Sequence, residues 1–280
     1  MTKTKQKKSY KDLTKFPKKV KNNLPTSYDV IGDIILLKLQ TNLLKYKKEI
    51  ANALLQAHKN IKTICLIKPV SGELRIRNIE IIGGEKRTIT IHKEYGLNYY
   101  LDISKVYFSP RLASERKRIA DLVKKDEIIV DMFAGVAPFS IMIVKFAHPK
   151  IVYALDKNKK AIEFAKINLV KNNVLDKVEV IHGDAKKVND IVKVKVDRII
   201  MNLPFSAHLF FKSALKIIKN ICKIHYYDIL PNEKIKDRLD HLTRIANVNG
   251  ITLSKIETRK IKSYTPREFY IGIDITAKKR

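Results

Sequence analysis

The chain has 280 residues and carries 57 Lys plus Arg against 28 Asp plus Glu, a formal net charge of +29. Its hydrophobic fraction of 45% contains no apolar run near the ~18 residues of a membrane-spanning helix, and the basic N-terminus lacks the apolar segment of a secretory signal. Such a charge excess points to nucleic acid, because lysine enrichment by heat adaptation ordinarily brings glutamate with it.

Residues 1–25 hold nine lysines and one aspartate with little apolar periodicity, which predicts a flexible basic arm. Val30 to Leu39 reads as a strand, Leu43 to Leu55 as a helix, Ile61 to Ile67 as a strand, and Glu73 to Ile82 alternates with Arg75 and Arg77 on the face of Glu73. Arg87 to His92 and Leu97 to Tyr107 add two strand candidates. Residues 26–108 are therefore expected to form a small α+β domain. Cys65 and Cys222 sit in apolar runs as buried thiols of a reducing compartment, and the seven histidines lack the paired spacing of a metal site.

Residues 109–280 read differently. Ser109-Pro110 breaks the chain and a helix runs from Arg111 to about Lys124, with Glu115 near its positive end. Ile128-Ile129-Val130 then feeds Asp131-Met132-Phe133-Ala134-Gly135-Val136-Ala137-Pro138, a strand, a tight loop and a helix start. Turns of this kind lie at the carboxyl edge of an open α/β sheet, where nucleotide-like ligands bind. A second strand ends at Asp156, at the spacing that suits a carboxylate on ribose hydroxyls, a third ends in Gly183-Asp184-Ala185, and a fourth in Asn202-Leu203-Pro204-Phe205. Strand ends also carry Asp, Asn and Gly as plain turn formers and caps. Ser206 to Ile218 reads as a helix, Cys222 to Tyr227 as strand five, and Glu233 to Val248 as a helix. Ile251 to Ile261 and Phe269 to Ile275 suit an antiparallel hairpin joined by Ser263-Tyr264-Thr265-Pro266-Arg267-Glu268.

The order of the four strand tips resembles the class I S-adenosylmethionine-dependent methyltransferases. Together with Tyr107-Phe108-Ser109-Pro110-Arg111-Leu112-Ala113-Ser114-Glu115-Arg116 and the Ser263 to Glu268 segment, it is similar to the archaeal and eukaryotic tRNA (guanine-37-N1)-methyltransferases over roughly residues 26–280. The resemblance implies a Rossmann-like α/β domain with a mostly parallel seven-stranded sheet and a terminal antiparallel hairpin, behind a small α+β domain. Where the class I methyltransferases ordinarily have Gly-x-Gly in the first loop, this chain has Gly135-Val136-Ala137. The lysine-rich arm stands where many members carry a further small domain that grips the tRNA corner.

The resemblance also assigns roles. Glu115 would take the proton from guanine N1, Arg75 would face O6, Tyr107 would pack against the flipped nucleotide, and Asn202 with Pro204 would shape its slot. Arg116, Asp131, Phe133, Gly135, Asp156, Lys157, Asp184, Ala185 and Asn202 would hold S-adenosylmethionine. The implied partner is the anticodon stem-loop of tRNA, bound by a cytoplasmic monomer without a membrane, and Mg2+ assistance leaves no signal in the sequence. Two alternatives stay open: a wyosine-pathway activity on the same nucleotide, either methylation of the tricyclic precursor at carbon or aminocarboxypropyl transfer, and a catalytically idle RNA-binding protein.

Overall fold

The computed structural model describes residues 9–68 and 77–280, which fall into two compact units, Met1–Pro110 and Arg111–Arg280. Arg75 and Glu73 lie outside the described residues.

In the first unit, α1 (Lys18–Asn22) precedes β1 (Asp29–Ile31) and β2 (Ile34–Leu37), which pair antiparallel. The apolar run from Val30 is thus two strands, not one. Gly32 turns the chain at a φ of 57°, and a Cβ there would sit 2.1 Å from the Thr90 hydroxyl, so no other residue fits the turn. Helix α2 (Lys47–Ala57) carries the chain to β3 (Thr63–Ile67), parallel to β2, and β4 (Ile79–Gly84) closes a sheet of order β1-β2-β3-β4. A separate hairpin joins β5 (Ile89–Glu94) to β6 (Leu97–Asp102). The core gathers Ile35, Leu37, Ile50, Leu54 and Ile64.

That core also takes in the segment expected to be a free arm. From Ser9 onward it is folded: Ser9 caps a short 3-10 turn over Tyr10–Leu13, and Tyr10 and Leu24 are buried with Phe16 and Val20 packed beside them. Four apolar side chains among many lysines suffice to dock the segment, because burying each is worth roughly 1.5–3 kcal/mol. The lysines remain outward on α1, which buries none of its residues.

The second unit starts with α3 (Ala113–Leu122) and then alternates: β7 (Ile128–Asp131), α4 (Pro138–Phe146), β8 (Ile151–Asp156), α5 (Lys159–Lys171), β9 (Val178–His182), α6 (Val188–Ile191), β10 (Val196–Met201), α7 (Phe211–Leu215), β11 (Ile218–Pro231), α8 (Ile235–Val248), β12 (Ile251–Ser263) and β13 (Glu268–Lys279). The sheet order is β12-β13-β11-β10-β7-β8-β9, parallel from β11 to β9, with β13 antiparallel to both its neighbours. The chain steps outward from β7 through β8 to β9, then returns to β10 on the other side of β7. This reversal opens a crevice at the carboxyl ends of β7 and β10.

One stretch departs from its periodicity. Ser206 to Ile218 is not one helix but a 3-10 turn over Ala207–Phe210, the short α7, and the start of a 14-residue β11. Strand β11 outruns its apolar middle because it pairs with β13 continuously from Ile221↔Lys278 to Pro231↔Glu268. Long-range pairing overrides local preference here. Cys65 and Cys222 are both buried and free, and burial pushes the Cys65 thiol up to about 12.

Candidate active site

The β7 loop is fixed by its backbone. Met132 N–H donates to Ile200 O at 3.0 Å, Ala134 N–H to Leu155 O at 2.9 Å, and Ala137 N–H to Ala134 O at 2.8 Å, so the loop is tied to both neighbouring strands. Gly135 and Ala137 take left-handed backbone, φ 56° and 64°, and Ala137 precedes Pro138 at the first turn of α4. Asp156 at the end of β8 accepts from Gly135 N–H at 2.6 Å and from Asn158 N–H at 2.8 Å. The acid thereby holds the loop as well as facing the crevice edge.

Beneath the loop, Asp131 is fully buried. Its Oδ2 accepts from the Ser140 hydroxyl at 3.0 Å, and its Oδ1 has no hydrogen-bond partner. Burial, with the nearby charge of Asp156, pushes its carboxyl up to about 7, and burial raises Asp156 as well. At the β9 tip, Asp184 caps the turn Ala185–Lys187 by accepting from Lys186 N–H at 2.8 Å, and its other oxygen lies 3.6 Å from Lys157 Nζ. Phe133 meets Phe210 edge to face at 5.0 Å.

This donor set fits a nucleoside-bearing cofactor. A carboxylate offers about four lone-pair positions, so Asp156 retains capacity for hydroxyls after its two backbone bonds. The unpartnered oxygen of Asp131 marks a buried polar place under the loop that needs a proton or a donor. Arg116, 1% exposed, is the bulkiest fully buried side chain among the described residues.

Opposite the loop lies a cluster built from side chains. Glu115, 5% exposed on α3, accepts at Oε1 from the Tyr227 hydroxyl at 2.8 Å and from Arg118 Nη2 at 2.6 Å, and at Oε2 from Arg118 Nε at 2.8 Å. Tyr227 on β11 stands 6.1 Å, ring to ring, from Tyr270 on β13, whose hydroxyl donates to Asn202 Oδ1. The link fixes the amide, leaving Asn202 to present its N–H pair as a donor. The tip itself is held by Asp228, fully buried, which accepts from Phe205 N–H at 3.0 Å and from the Tyr226 hydroxyl at 2.7 Å. Phe205 is left-handed, φ 73°, and Leu203 and Pro204 lie within this anchored turn.

The second unit thus brings together Glu115, Asp131, Phe133, Gly135, Asp156, Lys157, Asp184, Ala185 and Asn202 on the tips and flanks of one sheet. Tyr107 belongs to the first unit, where Arg77, 6% exposed, stacks on its ring at 4.8 Å and donates to Phe108 O at 3.2 Å. Sequence reasoning missed Arg118, Tyr227, Tyr270 and Asp228. Arg118 carried a usable signal, being three residues after Glu115 on a helix.

Strand order, the lone antiparallel β13 and the acid-tipped crevice define the class I methyltransferase fold. A profile described as the TRM5/TYW2 methyltransferase domain matches residues 90–254, and one described as the TYW2 N-terminal domain matches residues 12–88. The chain belongs to the TRM5/TYW2 methyltransferase family. It is 39% identical to tRNA (guanine(37)-N(1))-methyltransferase Trm5b of Pyrococcus abyssi, over 95% of this chain and 79% of that protein. A solved complex of aTrm5 with tRNALeu superposes with a TM-score of 0.83 at 39% identity, over 98% of this chain and 79% of the other. TYW2 of M. jannaschii in complex with AdoMet superposes at 0.70 with 28% identity, over 91% of this chain and 100% of the other.

Proposed function

We propose that this protein transfers the methyl group of S-adenosylmethionine to N1 of guanosine 37 in tRNA. The observation that carries the reading is the buried Glu115, set by Arg118 and Tyr227 on the β11–β13 side while Asn202 is set by Tyr270 on the same strands. A carboxylate and an amide donor, both prepositioned beside an acid-tipped cofactor crevice, suit a base edge that gives up a proton at one atom and accepts a hydrogen bond at the next.

Asp156, Asp184 and Phe133 would hold the cofactor with the Gly135 loop, joined by Asp131, Arg116, Lys157 and Ala185 as the resemblance has them. The bound cofactor supplies an electrophilic methyl group. Guanine N1 carries a proton and is a weak nucleophile until it is lost, so Glu115 accepts that proton as N1 attacks. Asn202 would donate toward the base edge and Pro204 limit the slot; as the resemblance has them, Tyr107 would pack on the extruded base and Arg75 would serve O6. The net charge of +29 supports a nucleic-acid substrate, and the resemblance would make it an anticodon stem-loop bound by a monomer.

A second reading is favoured by one observation, the match of residues 12–88 to the TYW2 N-terminal domain. It is transfer of the aminocarboxypropyl group of the same cofactor to a wyosine precursor at that position. Against it stands the Asn202-Leu203-Pro204 tip, whose amide oxygen accepts from the Tyr270 hydroxyl and so leaves its N–H pair for a base edge in the methyl-transfer reading. The deciding experiment incubates the protein with unmodified tRNA transcript and cofactor labelled in the methyl group, then digests the RNA to nucleosides. Label in 1-methylguanosine is expected. Absence of that nucleoside ends the methyl-transfer reading, and label carried from the cofactor's carboxyl carbon into tRNA bearing the wyosine precursor would establish the second.

A further inference from the structure

Glu115 poses a chemical difficulty as a base: both of its oxygens are occupied by donors. Arg118 covers them with Nε and Nη2, and Tyr227 adds its hydroxyl. A guanidinium in this fork geometry favours the ionised carboxylate and opposes its protonation. The same guanidinium is shared, however. Its Nη1 lies 2.9 Å from Asp274 Oδ2 and its Nη2 3.3 Å from Asp274 Oδ1 on β13.

Asp274 is itself firmly held. His225 on β11 donates from Nδ1 at 2.7 Å, and Arg259 on β12 pairs with Oδ2. Burial alone would push Asp274 up, but His225 and Arg118 hold it well below the usual carboxylate range. His225 is locked in one tautomer, because its Nε2 faces Arg198 Nη1 at 2.6 Å, and a guanidinium can only donate. Burial lowers His225, so it stays a neutral donor to Asp274. Arg198 ends the chain on Glu127 at 2.7 Å. On the remaining side, β13 presents Gly272, where a Cβ would lie 3.5 Å from Glu115 Oε1.

We propose that Arg118 is a positioning residue shared between two carboxylates: its fork fixes the orientation of Glu115 until guanine arrives, and Asp274 retains the guanidinium once Glu115 has taken the proton. The proposal rests on the methyl-transfer reading above. In the step, the N1–H bond of guanine breaks and an O–H bond forms on Glu115. The nitrogen pair forms the bond to the methyl carbon, and the carbon–sulfur pair stays on sulfur. Arg118 keeps all its protons. Before the step, Glu115 and Asp274 face Arg118 and Arg259; afterwards Asp274 still pairs with Arg118, while Arg259, a third exposed, keeps Glu257 at 3.8 Å and solvent. A half-buried guanidinium left without a carboxylate would oppose the proton transfer.

The test measures single-turnover methyl transfer to tRNA transcript across a pH series for wild type, Arg118→Lys, Arg118→Met and Asp274→Asn, with cofactor affinity by calorimetry and thermal melts as controls. Arg118→Met is expected to slow the step by roughly 10- to 100-fold at neutral pH, the scale of general-base effects. Arg118→Lys recovers part of the rate by keeping the charge without the fork, a rescue that a purely structural role for the side chain would not give. Asp274→Asn also slows the step, since Arg118 then has Glu115 alone. Cofactor affinity stays within roughly threefold throughout, well under the tenfold that 1.4 kcal/mol makes. Should Arg118→Met melt below the assay temperature, Arg118→Lys carries the comparison. Wild type without 1-methylguanosine sinks the methyl-transfer reading together with this proposal. Wild type that forms it, with the Arg118 variants within twofold at every pH, overturns the proposal alone.

Discussion

The two flanks of the crevice are built by different means. On the β7–β8 side the ligand-facing geometry comes from backbone: Gly135 N–H on Asp156, Ala134 N–H on Leu155 O, and left-handed residues at Gly135 and Ala137. Its parts lie within a few tens of residues of one another. On the β11–β13 side the geometry comes from side chains, Glu115 with Tyr227 being 112 residues apart and Arg118 with Asp274 156 apart. A backbone cradle tolerates change in side chains that do not alter φ, which suits a cofactor common to many enzymes. A side-chain lattice is specific and brittle, because removing one partner leaves another buried and unsatisfied. The reaction's identity is therefore expected to reside on the brittle side.

The largest expected effect breaks that side. Glu115→Gln preserves shape and one acceptor but cannot take a proton, so the single-turnover methyl-transfer rate should fall by roughly 10²- to 10⁴-fold. Cofactor affinity should be unchanged by calorimetry. A variant with the wild-type rate removes Glu115 from the chemistry. The complementary change, Asp156→Ala, strips the Gly135 loop of its carboxylate and should weaken cofactor binding by roughly 10- to 100-fold, in line with loss of a charge-assisted hydrogen bond. Saturating cofactor should restore most of its turnover, which Glu115→Gln does not allow. If both variants showed the same pattern, the two flanks would not be functionally distinct.

How far each flank can be read from sequence follows from the same contrast. The loop was legible because its cause is local: an apolar run, an acid, small residues and Pro138 in succession. Asp156, Asp184 and Asn202 were legible as the tips of successive strands. Glu115 could be placed on a helix start, but its partners could not, since Tyr227, Tyr270 and Asp274 look like any residues of period-two strands until β11 and β13 are paired. The break at Gly32 carried a sign, Gly-Asp within an apolar run, outweighed by the hydrophobic pattern. Tyr10, Phe16, Val20 and Leu24 were hidden by surrounding lysines and by the absence of a single helical or strand period.

Asp131 sharpens the comparison by stability. With its carboxyl pushed up to about 7 by burial against an ordinary aspartate value near ~3.9, the folded state binds the proton more tightly than the unfolded chain. Its contribution is therefore fully present below the unfolded value and is lost as pH rises through about 7. Asp131→Asn keeps an acceptor for Ser140 and removes the charge. Its melting temperature should overtake that of wild type as pH rises across this window, with a gain of about 2 kcal/mol at the upper end, discounted from the full linkage value for relaxation. A constant difference between the two proteins from acid to neutral pH would show that Asp131 titrates in the folded protein as it does in the unfolded chain.

Ala137 gives the smallest effect and the finest test of the backbone side. Left-handed backbone costs an L-residue roughly 1–2 kcal/mol, so glycine should relieve strain there. Against this, glycine adds roughly 0.5–1 kcal/mol of chain entropy to be lost on folding, and the fully buried methyl of Ala137 is worth about 0.8 kcal/mol. The three terms nearly cancel, which is why the loop can hold alanine at a left-handed position. Ala137→Gly should change stability by less than about 1 kcal/mol in urea unfolding and leave cofactor affinity intact. Ala137→Val keeps the strain and adds β-branched bulk in a space already closed, so it should destabilise by roughly 2–3 kcal/mol and weaken the cofactor with it. If glycine weakened binding as much as valine, the methyl group itself, rather than the φ of the loop, would be what the cofactor meets.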